Sequence, residues 1–194
     1  MNSKFKLSFI VLTSFTFLGL TGCQSLQPNK QTPSVQTPES ADQFNLQGKI
    51  GVRTPKQSGS AFFNWQQEQE KFDIELSGIL GVGKTQITGQ PGQVTLNSAK
   101  TGLITAESPE ELLFRATGWE APITHLIQWI QAKPATSNAQ LVRDESQRIS
   151  QIDEEGWNIQ LSYNAEAKLP NRLILKQQLE DGSENRITMA IQNR

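Results

Sequence analysis

The chain has 194 residues, of which 18 are Lys or Arg and 19 are Asp or Glu, so its formal net charge is −1. A nearly balanced charge without a basic run argues against nucleic acid as a partner. Cys23 is the only cysteine and His125 the only histidine. These counts exclude an internal disulfide and a cysteine-based or multi-histidine zinc site, so neither a metal nor a cofactor is expected.

The first residues have the organisation of an export signal. Lys4 and Lys6 precede an uncharged apolar stretch over 7–20, which is short for a membrane-spanning helix. The letters LTGC (20–23) follow directly and resemble a bacterial lipobox, whose cysteine is lipidated and becomes the mature N-terminus. Residues 1–22 are therefore predicted to be a signal peptide and Cys23 a lipidation site. A plain signal peptide with an incidental cysteine is the alternative.

Residues 23–41 are predicted to be the lipidated N-terminus and a flexible linker. The stretch 25–41 contains three prolines and no aromatic residue, so it cannot bury a core. Residue 24 is Gln, whereas Asp at this place marks bacterial lipoproteins for the inner membrane. The expected location is the cell outer membrane, with a lipid anchor and a domain facing the periplasm. Residues 42–194 are long enough for that single domain.

Alternation of apolar and polar residues dominates the domain and predicts antiparallel strands with one wet face. The first group of predicted strands covers 44–52, 60–65, 71–76, 85–89, 93–97 and 101–106. Four or five more strands are expected near the C-terminus, with clear alternation at 157–163, 171–177 and 186–191.

Two helices are predicted between these groups of strands. Ser108 is an N-cap, Pro109 suits the first helical position, Glu111 completes a capping box and Gly118 ends the helix. A second helix is predicted over 121–134 by apolar residues at helical spacing: Ile123, Leu126, Ile127 and Ile130.

The order of these elements predicts a mainly β fold with a few helices. Sequential antiparallel strands with one apolar face make a barrel or a strongly curled sheet, and amphipathic helices must cover an apolar surface. We therefore expect an unclosed antiparallel β-barrel with helices covering the mouth of an apolar cavity. A fully packed interior fits the same pattern.

The stretch GILGVGKT (78–85) has the letters of a nucleotide-binding P-loop. A P-loop needs a helix directly after it, because the helix N-terminus receives the phosphates. The following residues, TQITGQPGQ (85–93), favour a strand and a turn instead, so no nucleotide is expected. Apolar Ile79, Leu80 and Val82 are unusual in such a loop. They either fold back onto the core or contact an apolar partner such as a membrane.

No residue pattern predicts catalysis, and the chain is not expected to be an enzyme. His125 has no cysteine nucleophile to serve, and no G-x-S-x-G elbow is present. The acidic groups at 110–111 and 153–155 are interpreted as a helix first turn and a solvated turn. Paired carboxylates of a glycosidase-like envelope enzyme are the weaker alternative.

Several short motifs occur in a fixed order along the chain. They are the lipobox, FNLQGKIGV (44–52), Phe62 and Trp65, the run Phe72 to Leu76 with Ser77 and Leu80-Gly81, GQVTL (92–96), the helical pattern from Pro122 to Pro134, and Leu169-Pro170. In order and spacing they resemble the LolB family of outer-membrane lipoprotein receptors.

The resemblance implies a role in lipoprotein transport. Such a protein accepts lipoproteins from the periplasmic carrier LolA, binds their acyl chains in an apolar cavity and inserts them into the inner leaflet of the outer membrane. Leu80 matches an exposed leucine that the family needs for insertion rather than uptake. Ile79 replaces a frequent Pro, and Gly-Val-Gly follows, so Ile79 and Val82 are further candidates for the insertion loop; either Leu80 acts alone or it shares its role with Ile79 or Val82. The protein is expected to act as a monomer.

Inward apolar residues of the predicted strands are candidates for lining the acyl cavity or for ordinary core packing. They are Ile50, Val52, Phe72, Ile74, Leu96, Ile159 and Leu161. A structural or assembly-platform outer-membrane lipoprotein without acyl-chain binding is the alternative function, and a solid interior would favour it.

Overall fold

Eleven strands make up most of the computed structural model, in which residues 43–78 and 83–194 are described. In chain order the strands are β1 (Gln43–Arg53), β2 (Ser58–Glu68), β3 (Lys71–Ser77), β4 (Lys84–Gln90), β5 (Gln93–Ser98), β6 (Gly102–Ala106), β7 (Gln140–Arg143), β8 (Ile149–Glu154), β9 (Trp157–Ser162), β10 (Arg172–Gln178) and β11 (Glu184–Asn193). Helix α1 (Pro109–Thr117), a 3₁₀ turn (Ile123–His125) and helix α2 (Leu126–Trp129) lie between β6 and β7.

All the strands belong to one antiparallel sheet, with the order β6-β5-β4-β3-β2-β1-β11-β10-β9-β8-β7. β1 joins the two halves, because it pairs with β2 on one side and with β11 on the other. β6 and β7 are the edges and do not pair with each other, so the sheet is unclosed. The predicted fold class, a mainly β unclosed sheet with a few helices, is confirmed.

The alternation read from the sequence corresponds to alternating burial along the strands. In β1, Phe44, Leu46 and Gly48 are buried, and the polar residues between them are exposed. Gly48 sits at an irregularity in the pairing with β11. A Cβ there would lie 2.0 Å from the Ala190 carbonyl oxygen, so only glycine allows this approach of the two strands.

Helix α1 has the predicted ends. The Ser108 hydroxyl accepts a hydrogen bond from the Glu111 N–H at 3.1 Å. Gly118, at φ 70°, donates its N–H to the Phe114 carbonyl at 2.7 Å. The Glu111 carboxylate accepts from the Glu107 N–H, one residue before the cap, at 2.8 Å. Both ends are therefore capped locally, as the sequence indicates.

The second predicted helix, over 121–134, is too long. Its residues form the 3₁₀ turn and then the four-residue α2. Beyond α2, the N–H groups of Gln131 and Lys133 both donate to the Gln128 carbonyl, and Ala132 has φ 55°. A spacing of three residues suits a 3₁₀ turn as well as an α-helix, so the apolar pattern identified the buried face and not the helix length.

The acidic stretch 153–155, interpreted as a solvated turn, is partly wrong. Asp153 and Glu154 are the last residues of β8, and the Glu154 side chain is buried. Only Glu155 and Gly156 form the turn to β9. The sequence lacked a signal for this, because the partners of Glu154 lie about twenty residues earlier in the chain.

Two apolar clusters lie on the inner face of the sheet, on which the helices pack. The larger contains residues of β1, β2 and β8–β11 together with Leu126, Trp129 and Ile130. The smaller joins Leu112 of α1 to Val94 and Ala106. No helix among the described residues is long and apolar enough to span a bilayer.

Candidate functional site

A continuous apolar row crosses the inner face from β1 to β6. Residues opposite one another in antiparallel strands point to the same face, so the strand register defines the row. Its members, strand by strand, are Leu46, Trp65, Ile74, Ile87, Leu96 and Ile104. We call this set the inner row.

Burial changes along the inner row. Leu46 is 0% exposed and Trp65 is 5% exposed, since the larger cluster surrounds them. The four members on β3–β6 are only half-buried: Ile74, Ile87, Leu96 and Ile104. A fully packed interior would bury them as completely as Leu46. The β3–β6 half of the sheet therefore offers an inner apolar surface that the protein's own side chains fill only in part.

The helical segment adds further half-buried apolar residues to the inner face. Leu113 of α1, Ile123 of the 3₁₀ turn and Ile127 of α2 all pack against the larger cluster without being buried. Phe72 of β3 is in contact with both clusters. Half-buried apolar side chains on the inner face thus come from the helices as well as from the sheet.

A buried carboxylate fixes α2 and the segment after it to the sheet. Glu154 accepts hydrogen bonds from the Ala135 N–H at 3.0 Å, and from the N–H and hydroxyl of Thr136 at 2.8 Å each. The indole N–H of Trp129 donates to the same carboxylate. Burial raises the pKa of Glu154, but these donors outweigh it and leave the pKa below its usual value. The charged form therefore holds the helical cover in place.

The other acidic side chains considered for catalysis have structural partners. Glu110 accepts from the N–H and the hydroxyl of Thr124, both at 2.8 Å. Asp153 accepts from the side-chain amides of Gln151 and Asn158. Among the described residues, no group of three or more His, Cys, Asp or Glu side chains is placed to hold a metal ion.

Comparison with known proteins identifies the family. The sequence model of "Outer membrane lipoprotein LolB" matches residues 42–193. A LolB from Stutzerimonas stutzeri (strain A1501) is 36% identical over 191 residues, which cover 90% of this chain and 89% of that protein. A LolB from Pseudomonas putida (strain F1) is 41% identical over 140 residues, covering 70% and 68%.

The chain belongs to the LolB family.

The protein is accordingly an outer-membrane lipoprotein, anchored by lipid. The LolB family localises lipoproteins and is not an enzyme family. The resemblance read from the motifs is confirmed, and so is the expected outer-membrane location.

The seven predicted cavity or core residues of this LolB-family chain fall into two environments. Ile159 is 0% exposed and Leu161 is 6% exposed, and both belong to the larger cluster. The others are half-buried: Ile50, Val52, Phe72, Ile74 and Leu96. Ile87, Ile104 and Leu76 were not among the predicted lining residues, although all three lie in predicted strands.

The residues predicted to form a membrane-insertion loop, Ile79, Leu80 and Val82, lie outside the described residues, as does Cys23. The flanks of this loop are described. Gly78 and Gly83 have φ 80° and 66°, values that favour glycine, and β3 and β4 pair directly on either side. Strand β4 begins at Lys84, where a P-loop would have a helix, and the Lys84 ammonium group pairs with Glu75. The structural context of a P-loop is therefore missing.

Proposed function

We propose that this LolB-family protein accepts lipoproteins from the periplasmic carrier LolA and inserts them into the inner leaflet of the outer membrane. In this proposal their acyl chains lie on the inner face of β3–β6 while the lipoprotein is held. The observation that carries the proposal is the inner row, which is continuous and apolar but only half-buried on Ile74, Ile87, Leu96 and Ile104.

The physical argument rests on the hydration of acyl chains. Each methylene group removed from water contributes about 0.8 kcal/mol, so an acyl chain does not leave a membrane or a carrier for water. Movement from one apolar surface to another avoids this cost. Transfer can then proceed from a carrier to this protein and on to a bilayer without a nucleotide, as the strand context of GILGVGKT also suggests.

We assign the predicted residues according to their burial. The half-buried Phe72, Ile74 and Leu96, with Ile50 and Val52 of β1, are proposed to contact the acyl chains. Ile159 and Leu161 are proposed to serve only as core, because they have almost no exposed surface left.

We further propose that residues 1–22 are removed as a signal peptide, that 23–41 tether the domain, and that 42–194 act as a monomeric domain on the lipid of Cys23. Leu80, with Ile79 and Val82, is proposed to enter the bilayer during insertion. Burying one leucine contributes about 1.5–3 kcal/mol, which suits a transient contact and not an anchor.

Native mass spectrometry tests the central step. Unlipidated residues 24–194 are incubated with LolA loaded with a diacylated lipoprotein, and the expected product is a one-to-one complex with the lipoprotein. If no lipoprotein transfers and no lipid co-purifies, the alternative of an assembly-platform lipoprotein is favoured.

A further inference from the structure

An exposed aromatic side chain lies between lysines on the outer face of the sheet. Phe62 of β2 is 57% exposed. Its register partners are Lys49 on β1 and Ser77 on β3, and Ser77 is in turn opposite Lys84 on β4. These four residues therefore form one row across the outer face, which we call the outer row.

The contacts within the outer row leave its apolar and cationic groups at the surface. The Lys49 ammonium lies 5.9 Å from the centre of the Phe62 ring, within the range of a cation–π contact. The Lys84 ammonium pairs with Glu75, and both side chains remain substantially exposed. An exposed Phe ring can enter the boundary between lipid headgroups and acyl chains, while lysines beside it reach the phosphates.

The charge of the surrounding turns has the same sign. The turns from β1 to β2, from β3 to β4 and from β5 to β6 lie together at one end of the β1–β6 half of the sheet. The described residues 49–62, 75–78, 83–86 and 98–102 of this end include five basic side chains and one acid, Glu75. The basic residues are Lys49, Arg53, Lys56, Lys84 and Lys100, all exposed.

The opposite end of the same strands has the reverse charge. Residues 66–73, which include the turn from β2 to β3, contain Glu68, Glu70 and Asp73 but only one basic residue, Lys71. An anionic surface would be attracted to the first end and repelled by the second. Within β1–β6 this asymmetry gives a bilayer one preferred orientation. The β8–β9 and β10–β11 turns at the same end are acidic, with Glu155, Glu180, Asp181 and Glu184, so docking is confined to the β1–β6 half.

We propose that the outer row and the basic turns beside it dock on an anionic lipid bilayer, with the Phe62 ring at the headgroup level. The lysines and arginine contact lipid phosphates, each strengthening docking by about fivefold near an anionic surface. The outer-membrane location of the protein keeps a bilayer within reach of this surface. The proposal extends the proposed function, since docking brings the strand ends that flank residues 79–82 to the membrane.

A fluorescent label can report docking in the mature, lipidated protein. Cys23 is the only cysteine and its thiol is taken up by the lipid, so Ser77→Cys introduces a single labelling site within the outer row. Ser162→Cys, exposed at the end of β9, is the control site, and the unsubstituted protein should not label. The labelled protein is reconstituted in vesicles of phosphatidylcholine, with or without about a third phosphatidylglycerol.

The expected result is a blue-shifted emission at position 77, quenched by bilayer-located quenchers and stronger in the anionic vesicles, with no shift at position 162. Lys49→Gln should lower the ratio of docked to free label about fivefold. Phe62→Ser should lower it as well, because the apolar ring is lost. Phe114→Ser and Lys71→Gln are matched controls, because Phe114 is 51% exposed on α1 and Lys71 lies at the acidic end. Neither control should change the ratio.

Equal emission at positions 77 and 162 in both kinds of vesicle would overturn the proposal. So would a slower transfer from LolA in Phe62→Ser with unchanged emission, since the face would then dock a protein. Acyl uptake measured on the same samples separates the two proposals. If acyl uptake is lost while docking is intact, only the proposed function is contradicted. If uptake is intact and docking is absent, only the proposed docking surface is contradicted.

Discussion

The ring of Phe72 lies directly over Gly89, its register partner on the neighbouring strand. A Cβ at position 89 would come within 2.1 Å of a ring carbon, which is far closer than any side chain allows. The missing side chain of Gly89 therefore lets the ring lie low on the inner face of the sheet. There Phe72 contacts both apolar clusters.

Gly89→Ala should destabilise the domain by about 1–3 kcal/mol, because the Phe72 ring must leave its place and lose its contacts. Urea unfolding of residues 24–194 measures this. Gly51→Ala is the matched control on β1, where the nearest atom to a new Cβ would be 3.9 Å away, and its effect should stay within about 0.5 kcal/mol. If Phe72→Leu does not relieve the loss in the Gly89→Ala background, the ring is not its cause.

Glu154→Gln should lower the free energy of unfolding by about 2–4 kcal/mol near neutral pH. Both oxygens of the carboxylate accept hydrogen bonds, from Trp129, Ala135 and Thr136. Glutamine keeps only one accepting oxygen, and its NH₂ group would face N–H or O–H donors that it cannot satisfy. Glu155→Gln, one residue later in an exposed turn, is the control and should change little. If Glu154→Gln lowers the free energy of unfolding no more than Glu155→Gln does, the four hydrogen bonds make no net contribution to stability.

The same substitution has a defined pH dependence. Hydrogen bonds place the pKa of folded Glu154 below its usual value of 4.5, despite the opposing effect of burial. A carboxyl with a lowered pKa contributes its full stability above the unfolded value, and loses it as the pH falls through the folded value. The difference in unfolding free energy between wild type and Glu154→Gln should therefore be constant near neutral pH and shrink in acid below about 4.5. A difference that grows in acid would show that the pKa of folded Glu154 is raised and not lowered.

Local patterns explain which parts of this fold were predictable. Ser108 and Gly118 bound α1 correctly because both caps act within one helical turn. Strand positions followed from alternation, as in β3, where Phe72, Ile74 and Leu76 share one face. Strand β7 had no such signal, since all four of its residues are exposed.

The candidate site was less predictable, because it depends on how completely each inward residue is covered. Leu161 and Leu96 have the same alternating pattern in sequence, yet one is buried in the larger cluster and the other is half-buried. The difference arises from α2 and Ile130, which pack over the β8–β11 half. That asymmetry is a property of tertiary packing, and neither local periodicity nor composition carries it.

Ile87→Asn and Leu96→Asn should each weaken acyl-chain retention about tenfold, because each places an amide on the surface proposed to contact methylene groups. Native mass spectrometry of the lipoprotein complex, with LolA as donor, measures the retained fraction. Leu103→Asn is the control: this leucine is 68% exposed on the opposite face of β6. Equal retention in all three variants would show that the acyl chains do not bind at the inner row.

Leu80→Glu should separate uptake from insertion. A carboxylate in the loop cannot enter the hydrocarbon region without a cost of several kcal/mol, whereas the inner row on β3–β6 is untouched. The variant is therefore expected to take lipoproteins from LolA at the normal rate and to release them to vesicles at least tenfold more slowly. Leu80→Ala should be intermediate if Ile79 and Val82 share the contact, and as slow as Leu80→Glu if Leu80 acts alone. Vesicle flotation after transfer measures the inserted fraction, and simultaneous loss of uptake would assign the loop a structural role instead.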